Sequence, residues 1–301
     1  MERAKIYFLE TRPQFLFLSV ILVLLGGSVS LILRGKIIPF DFILALTGLV
    51  LLHISVNVLN DYFDYRSGID FHTRRTPFNG GSGILTSGLM KPEEAFWFGI
   101  VAFILAVPEG LYFLHKIGLK FLPIILSGAI FVLLYTPVLA RIGYGVAEMS
   151  AGLGLGLLPV YGVYVVMTGD FSLHALLYSV PSGLLVASLL LINEIPDVES
   201  DILGGRKTIP IQIGKRKAFY LYLFLTGLSY VWIIVMVLAG VFSPYMLLSL
   251  VTLPLYLKIL RNGGNLVDSP EFVKIQGLNV PIVLLTQFFM ALGLFINYFV
   301  R

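Results

Sequence analysis

Four polar side chains near the N-terminus have the types and spacing of a metal site. Asn57, Asn60, Asp61 and Asp64 follow a long apolar run and fall at positions i, i+3, i+4 and i+7. On a helix this spacing places two amides and two carboxylates on one face. Carboxylates on one face repel each other unless a cation lies between them. Oxygen ligands suit a hard ion, and Mg²⁺ is the usual one beside phosphate.

A second polar cluster lies 133 residues further along the chain and repeats this pattern. Asn193, Asp197 and Asp201 fall at i, i+4 and i+8 and also close a long apolar run. Either cluster alone is equally well explained as a solvated helix end. Two matching clusters, each after an apolar run long enough to span a membrane, indicate a paired site for metal ions and an anion.

Basic side chains and a glycine-rich turn accompany the acidic clusters. The turn, residues 78–83, includes Asn79 and Ser82 and offers backbone N–H groups to an anion. The basic residues predicted to bind the remaining oxygens of a diphosphate are Arg66, Arg74, Arg75, Arg206 and Lys207. Each of these cations, taken singly, is also explained as a salt-bridge partner or as an anchor on the cytoplasmic side of a membrane.

Three further side chains belong to the apolar segments. Tyr135 ends one of them on the side of the acidic clusters, where an interfacial aromatic residue is the alternative interpretation. Glu148 precedes a glycine-rich stretch, 152–156, and either faces the site or lies at the membrane interface. The glycines themselves predict close helix packing. His53 shares the stripe of Asn57, and a single histidine in a span predicts a packed, hydrogen-bonded side chain.

Composition identifies the class of protein that must position these residues. Of 301 residues, 57% are hydrophobic and 13% are charged, and the mean hydropathy is +0.92. Soluble proteins carry about twice that charge, so we predict a polytopic membrane protein. The absence of cysteine excludes disulfides and thiolate metal sites. The first apolar run is too long for a signal-peptide core, so we expect a retained span.

Apolar windows of about twenty residues predict an all-α bundle of nine transmembrane helices in a single domain, 1–301. The predicted spans are 14–34, 38–60, 94–115, 119–138, 146–168, 173–193, 218–240, 243–261 and 278–300. Both acid-rich loops, 61–93 and 194–217, then fall on the same side. With the N-terminus inside, 16 of the 21 basic residues lie on that side. This bias predicts that both acidic loops face the cytoplasm.

The paired motifs resemble those of the UbiA family of intramembrane aromatic prenyltransferases. Asn60-Asp61-x-x-Asp64 and Asp197-x-x-x-Asp201, following the second and sixth of nine spans, carry the resemblance over nearly the whole chain. It implies that these residues hold Mg²⁺ on an isoprenyl diphosphate, with the four aspartates as the catalytic residues. The resemblance also implies an aromatic acceptor and the lipid bilayer as partners of the protein, and we expect no nucleic-acid partner.

One departure from the family pattern indicates a branch. Many members carry an aspartate four residues after the one matching Asp64, whereas here that position is Gly68 and the next acid is Asp70. This variant is similar to the branch that makes menaquinone from 1,4-dihydroxy-2-naphthoate. Glycine favours the turn that ends a helix, so a turn at Gly68 would return Asp70 to the metal as a ligand or neighbour.

These observations predict Mg²⁺-dependent transfer of an isoprenyl chain to an aromatic ring, with a naphthoate in quinone biosynthesis as the acceptor. The predicted substrate-binding residues are Asn57, Asn60, Arg66, Arg74, Arg75, Asn79, Ser82, Tyr135, Glu148, Asn193, Arg206 and Lys207. Three alternatives are an ion-coupled transporter, a phosphotransferase acting on lipid alcohols, and prenyl transfer to a glycerol lipid. Acids at one membrane face, rather than at the midplane, count against transport.

Overall fold

The computed structural model describes residues 3–300, and every regular element in that range is helical. The α-helices are α1 (Arg3–Glu10), α2 (Pro13–Arg34), α3 (Pro39–Ser67), α4 (Ile69–His72), α5 (Pro92–Ile117), α6 (Leu122–Leu134), α7 (Ala140–Ile142), α8 (Val146–Gly152), α9 (Leu158–Thr168), α10 (Leu173–Glu194), α11 (Val198–Leu203), α12 (Ile209–Ile213), α13 (Lys215–Leu238), α14 (Leu253–Asn262) and α15 (Val273–Val300). Short 3₁₀ segments cover Leu119–Phe121, Pro244–Thr252, Gly263–Asn265 and Pro270–Phe272.

Eight helical segments within the described range are long and apolar enough to cross a membrane. They are Pro13–Arg34, Pro39–Ser67, Pro92–Ile117, Leu119–Ile142, Val146–Thr168, Leu173–Glu194, Lys215–Leu238 and Pro270–Val300. The all-helical membrane fold is thus confirmed. The predicted span 243–261 is not among the eight, because Pro244 and Pro254 divide it into a 3₁₀ segment and the short helix α14.

Helix α3 carries the first acidic cluster beyond the apolar layer. Its 29 residues span about 44 Å, whereas the hydrocarbon core of a bilayer is about 30 Å thick. The predicted apolar span ends at residue 60, and the helix continues beyond it to Ser67, because no helix-breaking residue occurs between residue 60 and Gly68. There the chain turns with φ +83° and restarts as α4, which confirms the predicted turn.

Two spans contain a π-helical turn close to the predicted site. Tyr135–Leu139 joins α6 to α7, and Leu153–Leu157 joins α8 to α9. In the second of these spans, a Cβ on Gly152 or Gly156 would lie 2.7 or 2.6 Å from a backbone carbonyl of α10. The backbones therefore meet directly, as the glycine-rich stretch predicts. Single π-helical turns inside α-helices occur frequently at functional sites.

The main core lies among α2, α9, α10, α13 and α15, where the fully buried side chains include Leu22, Tyr164, Leu185, Tyr222 and Ile282. Helix α6, by contrast, has no buried residue, so it forms an outer wall. A cavity remains between this wall and the core.

Candidate active site

The two acidic clusters meet at the polar end of one cavity. The cavity has a volume of about 290 Å³ and is lined by residues of α2, α3, α6, α8, α10 and α15 together with both polar loops. Its lining includes the following predicted site residues: Asn57, Asn60, Asp64, Asp70, Asn79, Tyr135, Asn193, Asp197, Asp201 and Arg206. Residues far apart in the sequence thus line one space, because the long helices α3 and α10 both end at this cavity.

Fewer polar residues of α3 line the cavity than their sequence spacing predicts. Asn57, Asn60 and Asp64 line the cavity, whereas Asp61 does not. The Oδ2 atom of Asp61 accepts a 2.6 Å hydrogen bond from the backbone N–H of Ser82, and its Oδ1 atom lies 3.6 Å from Nη1 of Arg12. Asp61 points toward the glycine-rich loop, about 100° around the helix from Asn60, and its role as a metal ligand stays a prediction.

Arg206 joins the two clusters. Its Nη2 lies 2.5 Å from both carboxylate oxygens of Asp64, and its Nη1 lies 3.4 Å from Oδ1 of Asp201. Burial opposes the charge on Arg206, but the two carboxylates outweigh it and raise the pKa of the guanidinium. Asp197 sits beside this bridge and accepts a hydrogen bond from Nδ2 of Asn79 in the glycine-rich turn.

Gly68 returns Asp70 to the cavity, where it is part of the lining. One oxygen of Asp70 and one of Asp61 each lie 3.1 Å from the position that a Cβ on Gly81 would occupy. Gly81 has φ +65°, so both the conformation and the space favour glycine between these carboxylates. Burial and the negative charges of Asp64 and Asp61 raise the pKa of Asp70 to about 8.

The cavity carries an excess of negative groups. Among its described lining residues are five carboxylates, those of Asp64, Asp70, Glu194, Asp197 and Asp201, but only two guanidiniums. Burial raises the pKa of Asp197 to about 7 and that of Asp201 to about 6. Buried oxygens of Asp201 and Glu194 have no hydrogen-bond partner. This donor set fits a hard divalent cation.

No three acidic or histidine side chains within residues 3–300 are already arranged around a common metal position. The position of Arg206 explains this: its guanidinium lies between the carboxylates of Asp64 and Asp201, which come from different loops. A divalent cation would have to share these oxygens with Arg206 or displace it from one of them.

Four predicted cations do not reach the cavity. Arg66, Arg74, Arg75 and Lys207 are exposed and absent from its lining. Arg66 follows Asp64 by two residues and thus points to another side of α3. Lys207 follows Arg206 in an irregular segment, and its side chain is exposed whereas that of Arg206 lines the cavity. The prediction that these four side chains contact the diphosphate is not supported by their placement.

Two other predicted residues, Ser82 and Glu148, form hydrogen bonds that hold the polar loops, and they lie outside the cavity lining. Ser82 is buried; its hydroxyl donates to Oε2 of Glu10 at 2.6 Å, and its N–H donates to Asp61. Glu148 is also buried and accepts a 2.6 Å hydrogen bond from the N–H of Ile209, at the start of α12. Neither lines the cavity. Of the two alternatives for Glu148, the structure supports neither: it fixes the second acidic loop.

Sequence reasoning missed Glu10, Arg12 and Glu194. Glu194 corresponds to Asp61 when the two clusters are aligned, and that was the available signal. Arg12 was counted only as a cytoplasmic charge, yet it lines the cavity with φ +55°, a backbone conformation that is uncommon for a residue other than glycine. Glu10 had no signal, because its partner Ser82 lies 72 residues away.

Glu10 provides a pH test of this supporting contact. Burial and the charge of Asp61 raise its pKa to about 8. The folded state therefore binds a proton more tightly than the unfolded chain, so the stabilisation is complete below about pH 4.5 and is lost as the pH rises through about 8. We expect Glu10→Gln to flatten the fall in Tm between pH 6 and 9. Glu93→Gln, at an exposed position, is the control, and equal slopes for both variants would contradict this.

The sequence pattern of the UbiA prenyltransferase family matches residues 19–265. The chain is 27% identical to the 1,4-dihydroxy-2-naphthoate octaprenyltransferase of Bacillus subtilis over 298 residues, covering 96% of this chain and 92% of the relative. It is also 27% identical to UbiA prenyltransferase domain-containing protein 1 of Xenopus tropicalis, covering 97% of this chain and 82% of the relative.

Two solved structures share the fold. A UbiA homologue from Aeropyrum pernix superposes with a TM-score of 0.72 at 19% identity, covering 94% of this chain and 98% of that one. A UbiA homologue from Archaeoglobus fulgidus bound to GPP and Mg²⁺ superposes with a TM-score of 0.66 at 16% identity, covering 98% and 100%. The family match spans more than half of the sequence, and the chain is therefore a prenyltransferase of the UbiA family.

Proposed function

We propose that this enzyme transfers an isoprenyl chain from an isoprenyl diphosphate to the ring of a naphthoate, in quinone biosynthesis, and that it requires Mg²⁺. One observation carries the proposal: both acidic clusters and Arg206 lie at the polar end of a cavity whose remaining walls are mostly apolar. A diphosphate ester with a hydrocarbon tail is likewise charged at one end and apolar along the rest of its length. The name of the Bacillus subtilis relative supports the naphthoate as the acceptor.

The residues that would hold Mg²⁺ are Asp64, Asp70, Asp197 and Asp201, with Asn60 as a neutral oxygen donor. Bound Mg²⁺ would neutralise the charge that builds on the departing diphosphate. Asp61, held by Ser82 and Arg12, acts on this site through the glycine-rich loop. Burial is the main cause of the raised pKa of Asp197 and Asp201, and a divalent cation would favour the ionised form of both carboxylates.

The chain's own cation and amides hold the other diphosphate oxygens. Arg206 can turn its N–H donors from Asp64 toward a phosphate, since a guanidinium matches both groups in geometry. Asn79 and the neighbouring turn lie on the same rim. Asn60 is held by a 3.0 Å hydrogen bond from its Nδ2 to the hydroxyl of Thr136, which directs the amide oxygen away from that contact.

The apolar part of the cavity accommodates the isoprenyl tail. A second cavity, also of about 290 Å³, shares Leu49, Leu52, Gly128 and Gly154 with the first and continues among α3, α5, α6 and α9. Phe131 and Tyr135 line the first cavity beneath the acids, where their ring faces can stabilise an allylic cation. Apolar walls on both sides would exclude water from that cation.

Purified enzyme given geranylgeranyl diphosphate, Mg²⁺ and a panel of ring acceptors tests the proposal. We expect diphosphate release and a prenylated hydroxynaphthoate, both abolished by EDTA. Release that depends on a glycerol phosphate instead would favour the glycerol-lipid alternative. Transport without diphosphate release would favour the transporter, which the acids at one end of the cavity disfavour.

Asp70 carries the assignment to the naphthoate branch. We expect Asp70→Ala to lower kcat about tenfold or more and to raise the Mg²⁺ concentration needed for half-maximal activity, because a partly buried carboxylate of the site is lost. Gly68→Asp should not restore activity, since Gly68 has φ +83° and an open surrounding rather than a place at the cavity. A wild-type response of Asp70→Ala across Mg²⁺ concentrations would remove Asp70 from the site.

We further propose that the bundle crosses the membrane nine times, with residues 244–262 as the remaining crossing. A Cβ on Gly293, near the end of α15, would lie 2.2 Å from the carbonyl of Tyr245. At the other end of the segment, a Cβ on Gly263 would lie 2.4 Å from Phe219, near the start of α13. Hydrogen bonds link Thr252 to Tyr230 and Thr286 between these ends. The segment therefore returns along the full height of the bundle.

Cysteine labelling tests this topology, because the chain has no native cysteine. Arg74 and Leu203 are exposed on the two acidic loops, and Lys36 is exposed at the opposite end. We expect a membrane-impermeant thiol reagent on intact cells to label Lys36→Cys and to label Arg74→Cys or Leu203→Cys only after permeabilisation. Labelling of either loop position on intact cells would show that the acids face outward.

A further inference from the structure

Gly128, in the middle of α6, occupies a position where neither packing nor backbone conformation requires glycine. A Cβ added there would meet no atom within 4 Å. Six other glycines within residues 3–300 have equally open surroundings, but each of those has a positive φ that favours glycine. Gly128 has a helical backbone, and glycine destabilises a helix interior relative to alanine. An unpacked glycine inside a helix therefore points to a functional reason for its small size.

Gly128 lies at the centre of the side of α6 that faces the cavities. Phe131 and Val132, one turn nearer the acidic clusters, line the first cavity. Ile124 and Ile125, one turn further away, line the second. Gly128 itself lines both. Residues three and four apart share one face of a helix, so a side chain at position 128 would point into the space between the two cavities.

The junction of the two cavities has walls from three segments. Leu49 and Leu52 of α3, and Gly154 of the π-helical turn between α8 and α9, line both cavities together with Gly128. Gly154 differs from Gly128, because a Cβ there would lie 2.8 Å from the side chain of Phe131. Close helix packing thus explains Gly154. A leucine at position 128, by contrast, would occupy the space through which the two cavities connect.

The junction lies at a depth that separates isoprenyl tails by their length. Along α3, Leu52 is eight residues from Asn60 at the polar end, which corresponds to about 12 Å. Three backbone bonds of an extended polypeptide span about 3.5 Å, so the four bonds of one isoprene unit span about 4.5–5 Å. Measured from Asn60, a geranyl tail of two units ends before the junction. A farnesyl tail of three units passes it.

We infer that Gly128 determines which isoprenyl diphosphates the enzyme uses, because it leaves open the passage that tails of three or more isoprene units follow into the second cavity. The second cavity holds the far part of the same tail, since the two cavities are continuous and its walls are almost entirely apolar. Glu109, which accepts a 2.9 Å hydrogen bond from Thr47, is the one ionisable group among its described lining residues. The inference rests on the proposed function and adds the residue that selects tail length.

The dependence of kcat/KM on tail length tests the inference. Purified wild type and variants are given Mg²⁺, 1,4-dihydroxy-2-naphthoate and diphosphates of two, three, four or five isoprene units. We expect Gly128→Leu to lower the ratio of kcat/KM for geranylgeranyl diphosphate to that for geranyl diphosphate by about tenfold or more, because the added side chain overlaps with the longer tail. Gly128→Ala, which adds a single methyl group, should lower this ratio less.

Two further leucine substitutions separate the passage from general effects on the bundle. Ser127→Leu adds a side chain at the adjacent position, which lines neither cavity, and should keep the wild-type ratio. Gly162 lines the second cavity, and a Cβ there would lie 3.8 Å from Ile124, one turn of α6 beyond Gly128. One turn is about 5.4 Å, close to the length of one isoprene unit. We therefore expect Gly162→Leu to exclude tails only from about one unit longer than Gly128→Leu does.

The outcomes distinguish failure of this inference from failure of the proposed function. If wild type prenylates the naphthoate and Gly128→Leu keeps the wild-type ratio, only the inference fails. An equal loss for all four tail lengths in Gly128→Leu would also overturn it, since a block at this depth spares the shortest tail. If wild type releases no diphosphate from any of the four substrates, the proposed function fails. Calorimetric binding of the four diphosphates to wild type and Gly128→Leu then still tests the passage, and equal length dependence in both proteins would overturn it.

Discussion

Asp64→Asn and Asp197→Asn should each lower kcat by about a thousandfold or more while the protein remains folded. Both carboxylates lie at the polar end of the cavity, one from each cluster. A divalent cation bound between the two clusters therefore needs both of them. Asparagine keeps the volume and one oxygen of the side chain but removes its negative charge. That charge is needed to bind the cation, which in turn stabilises the departing diphosphate. The apolar bundle, which stabilises the fold, is not altered.

Diphosphate release over a range of Mg²⁺ concentrations measures this effect. Asp64 is paired with Arg206, so Asp64→Asn leaves a buried guanidinium with fewer partners, and Asp64→Glu, which keeps the charge, separates that effect from loss of the cation site. Asp268→Asn removes an exposed acid and should match wild type. Near-normal turnover of either Asp64→Asn or Asp197→Asn in saturating Mg²⁺ would remove the basis of the mechanism.

The features that could be predicted from sequence depend on local regularities. Apolar runs of membrane length locate the spans, the i, i+4 spacing places Asn60 and Asp64 on one stripe, and Gly68 ends the helix. Each follows from the geometry of one helix. The convergence of the two clusters was also predictable, although only from their likeness, because no local rule states that α3 and α10 end at the same cavity.

Sequence spacing could not predict the direction of side chains that are positioned by distant segments. Asp61 shares the helix face of Asp64 within the tolerance of sequence spacing, yet the N–H of Ser82 and the guanidinium of Arg12 draw it to the other side of that face. Arg12 itself reaches the cavity only because the chain adopts φ +55° immediately before Pro13. Neither the loop nor the turn has a periodic signal, so spacing could not place them.

The four exposed cations show a second limit. Basic residues gather on the cytoplasmic side of membrane proteins whatever else they do, so their presence beside acids does not distinguish an anchor from a ligand. Arg66, Arg74 and Arg75 surround the first cluster but are exposed. Only the structure separates Arg206 from its neighbour Lys207, because burial and two carboxylate partners distinguish one side chain from the other.

Arg206→Gln should therefore lower kcat by about a hundredfold or more, whereas Lys207→Gln should remain within about twofold of wild type. Each substitution removes one positive charge from adjacent positions in the same loop, so a general effect of loop charge would alter both equally. The Arg206 side chain is only 12% exposed, lies between Asp64 and Asp201, and can transfer its donors to the diphosphate. The Lys207 side chain is exposed, and its backbone N–H and carbonyl already bind Ala140 and Gln212.

Stability provides the second readout for Arg206→Gln. Without the guanidinium, the buried carboxylates of Asp64 and Asp201 face each other unpaired, so we expect a lower Tm in EDTA than for wild type or Lys207→Gln. Because Mg²⁺ would then be the remaining cation between them, its addition should raise the Tm of Arg206→Gln more than that of wild type. An equal Mg²⁺-induced rise in all three proteins would show that these two carboxylates do not share a cation.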